Sequence, residues 1–369
     1  KEFINKINSV IEAYSIKLLS KSVTYFLIEL TVPYFNQDVT HLLNKLKLQL
    51  KSVIDDYRIL VATEPENLKK YIGGKKIHKG VLKAIRDIKQ LESSLKIGKS
   101  LQRLVREDVD RKKAVTLLIR LLTKLDDEEK RSCLNSLSEL LGDSESVQLY
   151  PRSLTVGCVC STSKVSKLAE LPFIRLITES PKIRRVIPSS SDLPPIYLSN
   201  QVIFKKSDKN LPPICIIDSG ISPVLDAFTL KKDLLYTYFN SEETVPHGTS
   251  VSSVALFGED LLRRSNILEN KTNVISFKID DLSVPEDRIN IEEGLMEAIK
   301  RYKNLTPIFN LSYNYDQIPD EMRIEMAKRI DSFIQKENVI VVNSVGNIPA
   351  DVAFSMRENY PKYLTQHPV

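Results

Sequence analysis

The chain has no tryptophan, four cysteines and four histidines in 369 residues. It also lacks any run of about 18 apolar residues, so no transmembrane helix is expected. Its N-terminal stretch KEFINKINSVIEAYSIKLLS scatters charges through an amphipathic pattern. It has no continuous apolar centre of the kind a secretory signal needs. Cys133, Cys158, Cys160 and Cys215 show no disulfide-framework spacing. Period-two alternation sets Leu154, Val156, Cys158 and Cys160 on one strand face, where they read as small buried hydrophobes. No further ligands lie near them in sequence, so neither a metal nor another cofactor is expected. A reducing, cytoplasmic location fits this cysteine usage. A net charge of +6 is mild for the length, and nucleic acid is not an expected partner.

The length allows two or three domains and a sizeable core. SVTYFLIELTV alternates, with Phe26, Ile28, Leu30 and Val32 on one face, and reads as a strand. QDVTHLLNKLKLQLKSVI reads as a helix, with Val39, Leu42, Leu43, Leu46, Leu50 and Val53 apolar along it. YRILVA reads as a second strand. Residues 66–142 read as mainly helical: Ile85, Ile88, Leu91 and Leu95 keep helical spacing, as do Leu117, Leu118, Leu121 and Leu122, and Gly142 marks a stop. The basic stretch 69–80, KKYIGGKKIHKG, interrupts this region as a solvated loop. Its GGKK lacks the spacing and preceding strand of a phosphate-cradling loop. SLTVGCVC, STSKVSKLAELP and FIRLITES then repeat strand, helix, strand. With the helical region taken as an insertion, the remainder reads as a ferredoxin-like α+β domain. The expected organisation is therefore 1–65 and 151–180 as two halves of that domain, 66–150 as its helical insertion, and 181–196 as a Pro- and Ser-rich linker. Residues 197–369 follow as an α/β domain with a doubly wound parallel sheet, because strands and helices alternate strictly there.

In such sheets function collects at the carboxyl ends of strands. Three polar clusters fall at those ends. PPICIIDSG closes a fully apolar strand on Asp218, an acid that needs a partner where it is desolvated. VPHGTSVSSVALFG places His247, a natural general base, just ahead of a small-residue helix. NVIVVNSVGN ends on Asn347, whose amide can donate into a cleft. His41 and His78 lie in an amphipathic helix and the basic loop, and read as structural or solvated.

Together, in this order, IIDSGI, HGTSVSSVA, NLSYN and NSVGN resemble the subtilisin-like serine proteases. The resemblance covers residues 211–369, somewhat under half the chain. It implies that Asp218 orients the imidazole, that His247 relays the proton, and that Asn347 is the side-chain donor of the oxyanion hole. It also implies that Ser312, Tyr313 and Asn314 line the cleft against which an extended peptide substrate pairs. Tyr313 and Asn314 depart from the small aliphatic residue and glycine usual in the family at these positions. HGTSVSSV overlaps the family's histidine and serine strings. Ser250 lies three residues from His247 on one helix start, but a base–nucleophile pair also needs in-line geometry and a facing oxyanion hole. Asp218 and Asn347 fit the histidine assignment, so Ser250 is not the expected nucleophile. No second GTS block follows Asn347, so the nucleophile is expected outside this sequence. The resemblance further implies that the N-terminal α+β region is a propeptide-like intramolecular inhibitor whose linker occupies the cleft. The helical insertion is expected to dock a regulatory protein partner. A catalytically inactive binding protein of the same fold is the alternative function.

Overall fold

The structure is a computed structural model. It describes residues 15–18, 21–64, 67, 83–89, 92–108, 113–122, 125, 127–142, 147–183, 202–207, 210–239, 241, 246–263, 265–315 and 318–344. The chain divides into two compact units: 1–149 with 154–179, and Tyr150–Ser153 with 180–369.

The first unit holds two antiparallel sheets. One contains β1 (Ser15–Leu18), β2 (Lys21–Leu30), β3 (Gln49–Asp55), β4 (Arg58–Thr63) and β5 (Ile85–Lys89), with α1 (Gln37–Lys45) between β2 and β3. Its order is β1-β2-β4-β3, with β5 also paired to β2. Helix α1 is shorter than its leucine spacing suggests. Asn36 caps its start by accepting from the Asp38 N–H, and Lys47 turns out at φ +52°, so the rest of the run becomes β3.

The second sheet follows α2 (Lys99–Glu107). Its elements are β6 (Ala114–Leu121), α3 (Asp127–Leu141), β7 (Val147–Tyr150), β8 (Thr155–Ser161), α4 (Val165–Glu170) and β9 (Ile174–Glu179). The order β7-β8-β6-β9, with β6 antiparallel to β8 and β9, is the ferredoxin-like arrangement. That β-α-β-β-α-β run lies wholly within residues 114–179 and takes β6, α3 and β7 from the region expected to be a helical insertion. The leucines at 117, 118, 121 and 122 are strand and strand-end residues, all four buried. A short, continuously apolar run has no period that tells a buried strand from a buried helix. Ile85 and Ile88 likewise belong to β5. The basic stretch 69–80 lies outside the described residues.

The second unit is built on β10 (Ile203–Lys205), β11 (Pro213–Asp218), β12 (Thr229–Leu234), α5 (His247–Leu262), β13 (Ile267–Glu269), β14 (Asn273–Lys278), α6 (Ile291–Tyr302), β15 (Ile308–Leu311), α7 (Asp320–Glu337) and β16 (Ile340–Asn343). Five of these strands form a wholly parallel sheet in the order β12-β14-β11-β15-β16. β10 and β13 pair separately, also in parallel. Strand β12, TLKKDL, escaped the sequence reading because it is largely exposed and lacks an apolar run. A core of Ile216, Leu225, Phe228, Leu256, Phe257 and Val274 ties β11 and β14 to α5. The chain leaves central β11 toward β12 and β14, then crosses to β15 and β16 on the other side. The carboxyl ends of β11 and β15 therefore flank a topological switch point, where open α/β sheets form a crevice.

Candidate active site

Asp218 is the last residue of β11 and is buried. His247 is the first residue of α5. The imidazole Nδ1 lies 3.0 Å from each Asp218 carboxylate oxygen. The histidine side chain is 27% exposed and the aspartate 1%, so a hidden acid backs an accessible base. With Nδ1–H directed to the carboxylate, Nε2 is left to accept a proton. The Asp218 carboxylate also accepts from the Ser219 N–H (2.7 Å) and the Ser219 hydroxyl (3.1 Å), so it keeps donors in place of water.

The approach of α5 to β11 depends on one glycine. A Cβ on Gly248 would stand 2.0 Å from the Gly220 carbonyl oxygen. Gly220 itself turns the chain at φ +103°. Two further bonds stitch this junction: the Gly248 N–H donates to Ser219 Oγ (3.1 Å), and the Ser222 N–H to Thr249 Oγ1 (2.7 Å).

The loop after β15 closes another side. The Ser312 N–H donates to the Ile217 carbonyl (3.3 Å), and the Asn314 amide to the Ser344 carbonyl (2.7 Å). Between them Tyr313 is buried. Its hydroxyl donates to Asp280 Oδ2 at 2.8 Å, and its ring lies 6.2 Å from the His247 ring. Burial, reinforced by the Asp280 and Asp218 charges, pushes the phenol far above its ordinary range, so Tyr313 stays a neutral donor. On β14, Lys278 is buried and pairs with Asp281 at 2.9 Å.

The structure thus brings Asp218, His247, Ser312, Tyr313 and Asn314 to the carboxyl ends of adjoining strands. Asn347 lies outside the described residues. Ser250 is exposed, and its hydroxyl donates back to the Pro246 carbonyl at 2.9 Å. A cavity of about 430 Å³ runs along α5 from His247 to Ala255. Its walls are mainly apolar, with Ile216, Ile308 and Val342 from the sheet and Val251 and Val254 from the helix.

Sequence reasoning missed Ser219, Gly248 as a point of close approach, and Asp280. The small polar residue after Asp218 and the glycine after His247 were visible signals for the first two. It also missed Ile183. The Ile183 N–H donates to the Glu286 carbonyl (3.2 Å), and Ile183 forms an antiparallel bridge with Tyr315, one residue past the Ser312, Tyr313 and Asn314 lining.

No protein-family model matches the chain, and no curated protein matches it. Among solved structures it is similar to a mutant of the epidermin leader peptide processing serine protease of Staphylococcus aureus. The identity is 15% and the TM-score 0.45, with 69% of this chain and 64% of that one covered. The chain therefore spans somewhat less than two thirds of that protein's length. No helix among the described residues is long and apolar enough to cross a membrane.

Proposed function

We propose that the second unit carries the acid–base half of a subtilisin-like serine endopeptidase, on a doubly wound sheet. The observation that carries this reading is the Asp218–His247 pair at the switch point, with a buried acid, a bifurcated Nδ1 contact and an accessible imidazole. In this reading His247 takes the proton of an attacking serine hydroxyl at Nε2 and returns it to the leaving amine. Asp218 holds the tautomer and stabilises the imidazolium. Asn347 donates to the developing oxyanion. The N-terminal region restrains the enzyme. The pairing of Ile183 with Tyr315 supports this, because it lays an extended stretch of chain along the expected substrate edge. Four buried cysteines that form no disulfide support a cytoplasmic site of action.

The test is covalent labelling of the full-length protein by a fluorophosphonate probe. Labelling that disappears in His247→Ala and falls steeply in Asp218→Asn is expected. A folded full-length protein that takes no label sinks the peptidase reading. The second reading, a non-catalytic binding protein of the same fold, is favoured by Ser250, whose hydroxyl turns back into its own helix. It would then be the one to keep.

A further inference from the structure

The acid–base pair is held from more than its own two elements. Asp218 ends β11 and His247 opens α5, so the pair spans a strand and a helix. Ser219 joins them: its hydroxyl donates to the Asp218 carboxylate at 3.1 Å and accepts from the Gly248 N–H at 3.1 Å. The same hydroxyl lies within hydrogen-bonding reach of the Tyr313 phenol. Tyr313 in turn donates to Asp280 Oδ2 at 2.8 Å. Asp218, Ser219, Tyr313 and Asp280 are all buried, so a continuous polar chain runs from the imidazole to the turn after β14. In such a chain each member depends on its neighbours for a partner.

Tyr313 has little freedom of its own. On one side the Ser312 N–H donates to the carbonyl of Ile217, the residue before Asp218. On the other the Asn314 amide donates to the Ser344 carbonyl. The hydroxyl fixes the far end of the ring on Asp280. A ring pinned at both ends thus stands 6.2 Å from the imidazole, inclined to it by 53°. Aromatic rings attract one another at that separation. The contact has a consequence for the base. The second side-chain torsion of histidine is broad, so a hydrogen bond at Nδ1 leaves the tilt of the imidazole loosely set. A rigid wall beside the ring narrows that tilt and so aims Nε2.

We propose that Tyr313 is a positioning residue for His247. Its ring sets the tilt of the imidazole, and its hydroxyl ties that ring to Asp280 and to the Ser219 hydroxyl beneath Asp218. Asp280 serves here as an acceptor, a role that an amide oxygen also fills. The proposal rests on the peptidase reading for its catalytic meaning, while the geometry it claims belongs to the pair alone.

The Nδ1–H proton of His247 tests it without catalysis, through its downfield NMR line and its exchange with water in the full chain. Tyr313→Phe keeps the ring and removes its anchor; Nδ1–H exchange should quicken about tenfold, the worth of one hydrogen bond. Tyr313→Leu removes the wall, and the line should vanish. Asp280→Asn keeps an acceptor for the phenol and should keep the line. Tyr315→Phe is the control: its hydroxyl accepts from the Ile291 N–H at 3.0 Å, two residues along the same loop, so its loss weakens the fold without touching the pair. That variant should leave Nδ1–H unchanged. A line indifferent to both Tyr313 variants, lost in Asp280→Asn, or disturbed as much by Tyr315→Phe overturns the proposal. The unmodified chain gives a second reading should the variants misfold. As acid titrates His247, the Tyr313 ring protons should shift with the same midpoint while those of Tyr315 stay in place; a Tyr313 that does not respond overturns the proposal. A folded full-length protein that takes no fluorophosphonate yet shows these Nδ1–H changes loses the peptidase reading and keeps this one. Labelling together with an Nδ1–H indifferent to Tyr313 does the reverse.

Discussion

Gly248→Ala isolates the contact on which the Asp218–His247 pair depends. The new Cβ would lie 2.0 Å from the Gly220 carbonyl oxygen and 3.3 Å from the Asp218 Cβ, against an ordinary contact of 3.4 Å or more. Its nearest neighbour is backbone, which cannot rotate aside. The first turn of α5 must therefore withdraw by about 1.4 Å, the difference between those two distances. Withdrawal on that scale takes the 3.0 Å Nδ1 contacts beyond hydrogen-bonding range. It also breaks the Gly248–Ser219 and Ser222–Thr249 bonds. A hydrogen bond to a charged group is worth about 1.5–3 kcal/mol and a neutral one about 1 kcal/mol, so the variant should lose about 3–5 kcal/mol of stability. Urea unfolding followed by circular dichroism measures this in a chain without tryptophan. The downfield imidazole Nδ1–H resonance, seen by proton NMR, reports the pair directly and should vanish. Gly294→Ala is the control for crowding away from the pair: its Cβ would meet the Ile279 Cγ2 methyl at 2.7 Å and the Ile279 Cβ at 3.3 Å, in a buried β-branched side chain. It should cost about 1–3 kcal/mol and leave the imidazole signal in place. A Gly248→Ala protein of near wild-type stability with an unchanged imidazole resonance would refute the reasoning.

Three further outcomes follow from buried charge. Lys278→Met strands the buried Asp281 carboxylate and should destabilise by about 3–5 kcal/mol in urea unfolding; a change under about 1 kcal/mol would mean water reaches the pair. Lys96 is buried with its ammonium on the Leu171 carbonyl, and desolvation lowers its pKa to about 8. The folded state thus binds its proton less well than the unfolded one, a penalty complete below pH 8 and relieved as pH rises toward 10.5. Lys96→Met should therefore gain about 1–2 kcal/mol at pH 7, after the lost hydrogen bond is set against the relieved desolvation, and that gain should shrink toward pH 10.5. Glu337 bonds Lys300 and Lys303, which hold its pKa down at about 2. Its contribution is complete above pH 4.5 and lost as pH falls toward 2, so the stability gap between wild type and Glu337→Gln should close across that window; a gap independent of pH would contradict the pairing.

The parallel sheet of the second unit was legible because each of its buried strands is a short apolar run bounded by turn residues. Strand β12 was not, since its exposed lysines carry no apolar signal. In the first unit the reverse error arose. Residues 114–121 are so evenly apolar that spacing alone admits a helix, and only pairing with β8 and β9 decides for a strand. Once β6 is a strand, the ferredoxin-like run needs no contribution from residues 22–63, which belong with β1 and β5 to a separate sheet.

The site divides in the same physical way. Asp218 and His247 were visible because each sits where an apolar element stops at a polar, chemically capable residue. What joins them was not visible: Ser219 bridges acid and helix, and Gly248 lets the backbones touch, yet neither fact exists until β11 and α5 pack. Tyr313 shows the gap between finding a residue and knowing its role. Its position in NLSYN marked it as a cleft residue of unsettled preference. Packing gives it a carboxylate partner, Asp280, from the turn just past β14, and so turns an odd aromatic into a buried hydrogen-bond donor beside the His247 ring. Tertiary approach, rather than local pattern, supplies the chemistry at such a position. The group that fixes the Tyr313 hydroxyl is therefore Asp280, a residue that no local reading of the NLSYN stretch contains.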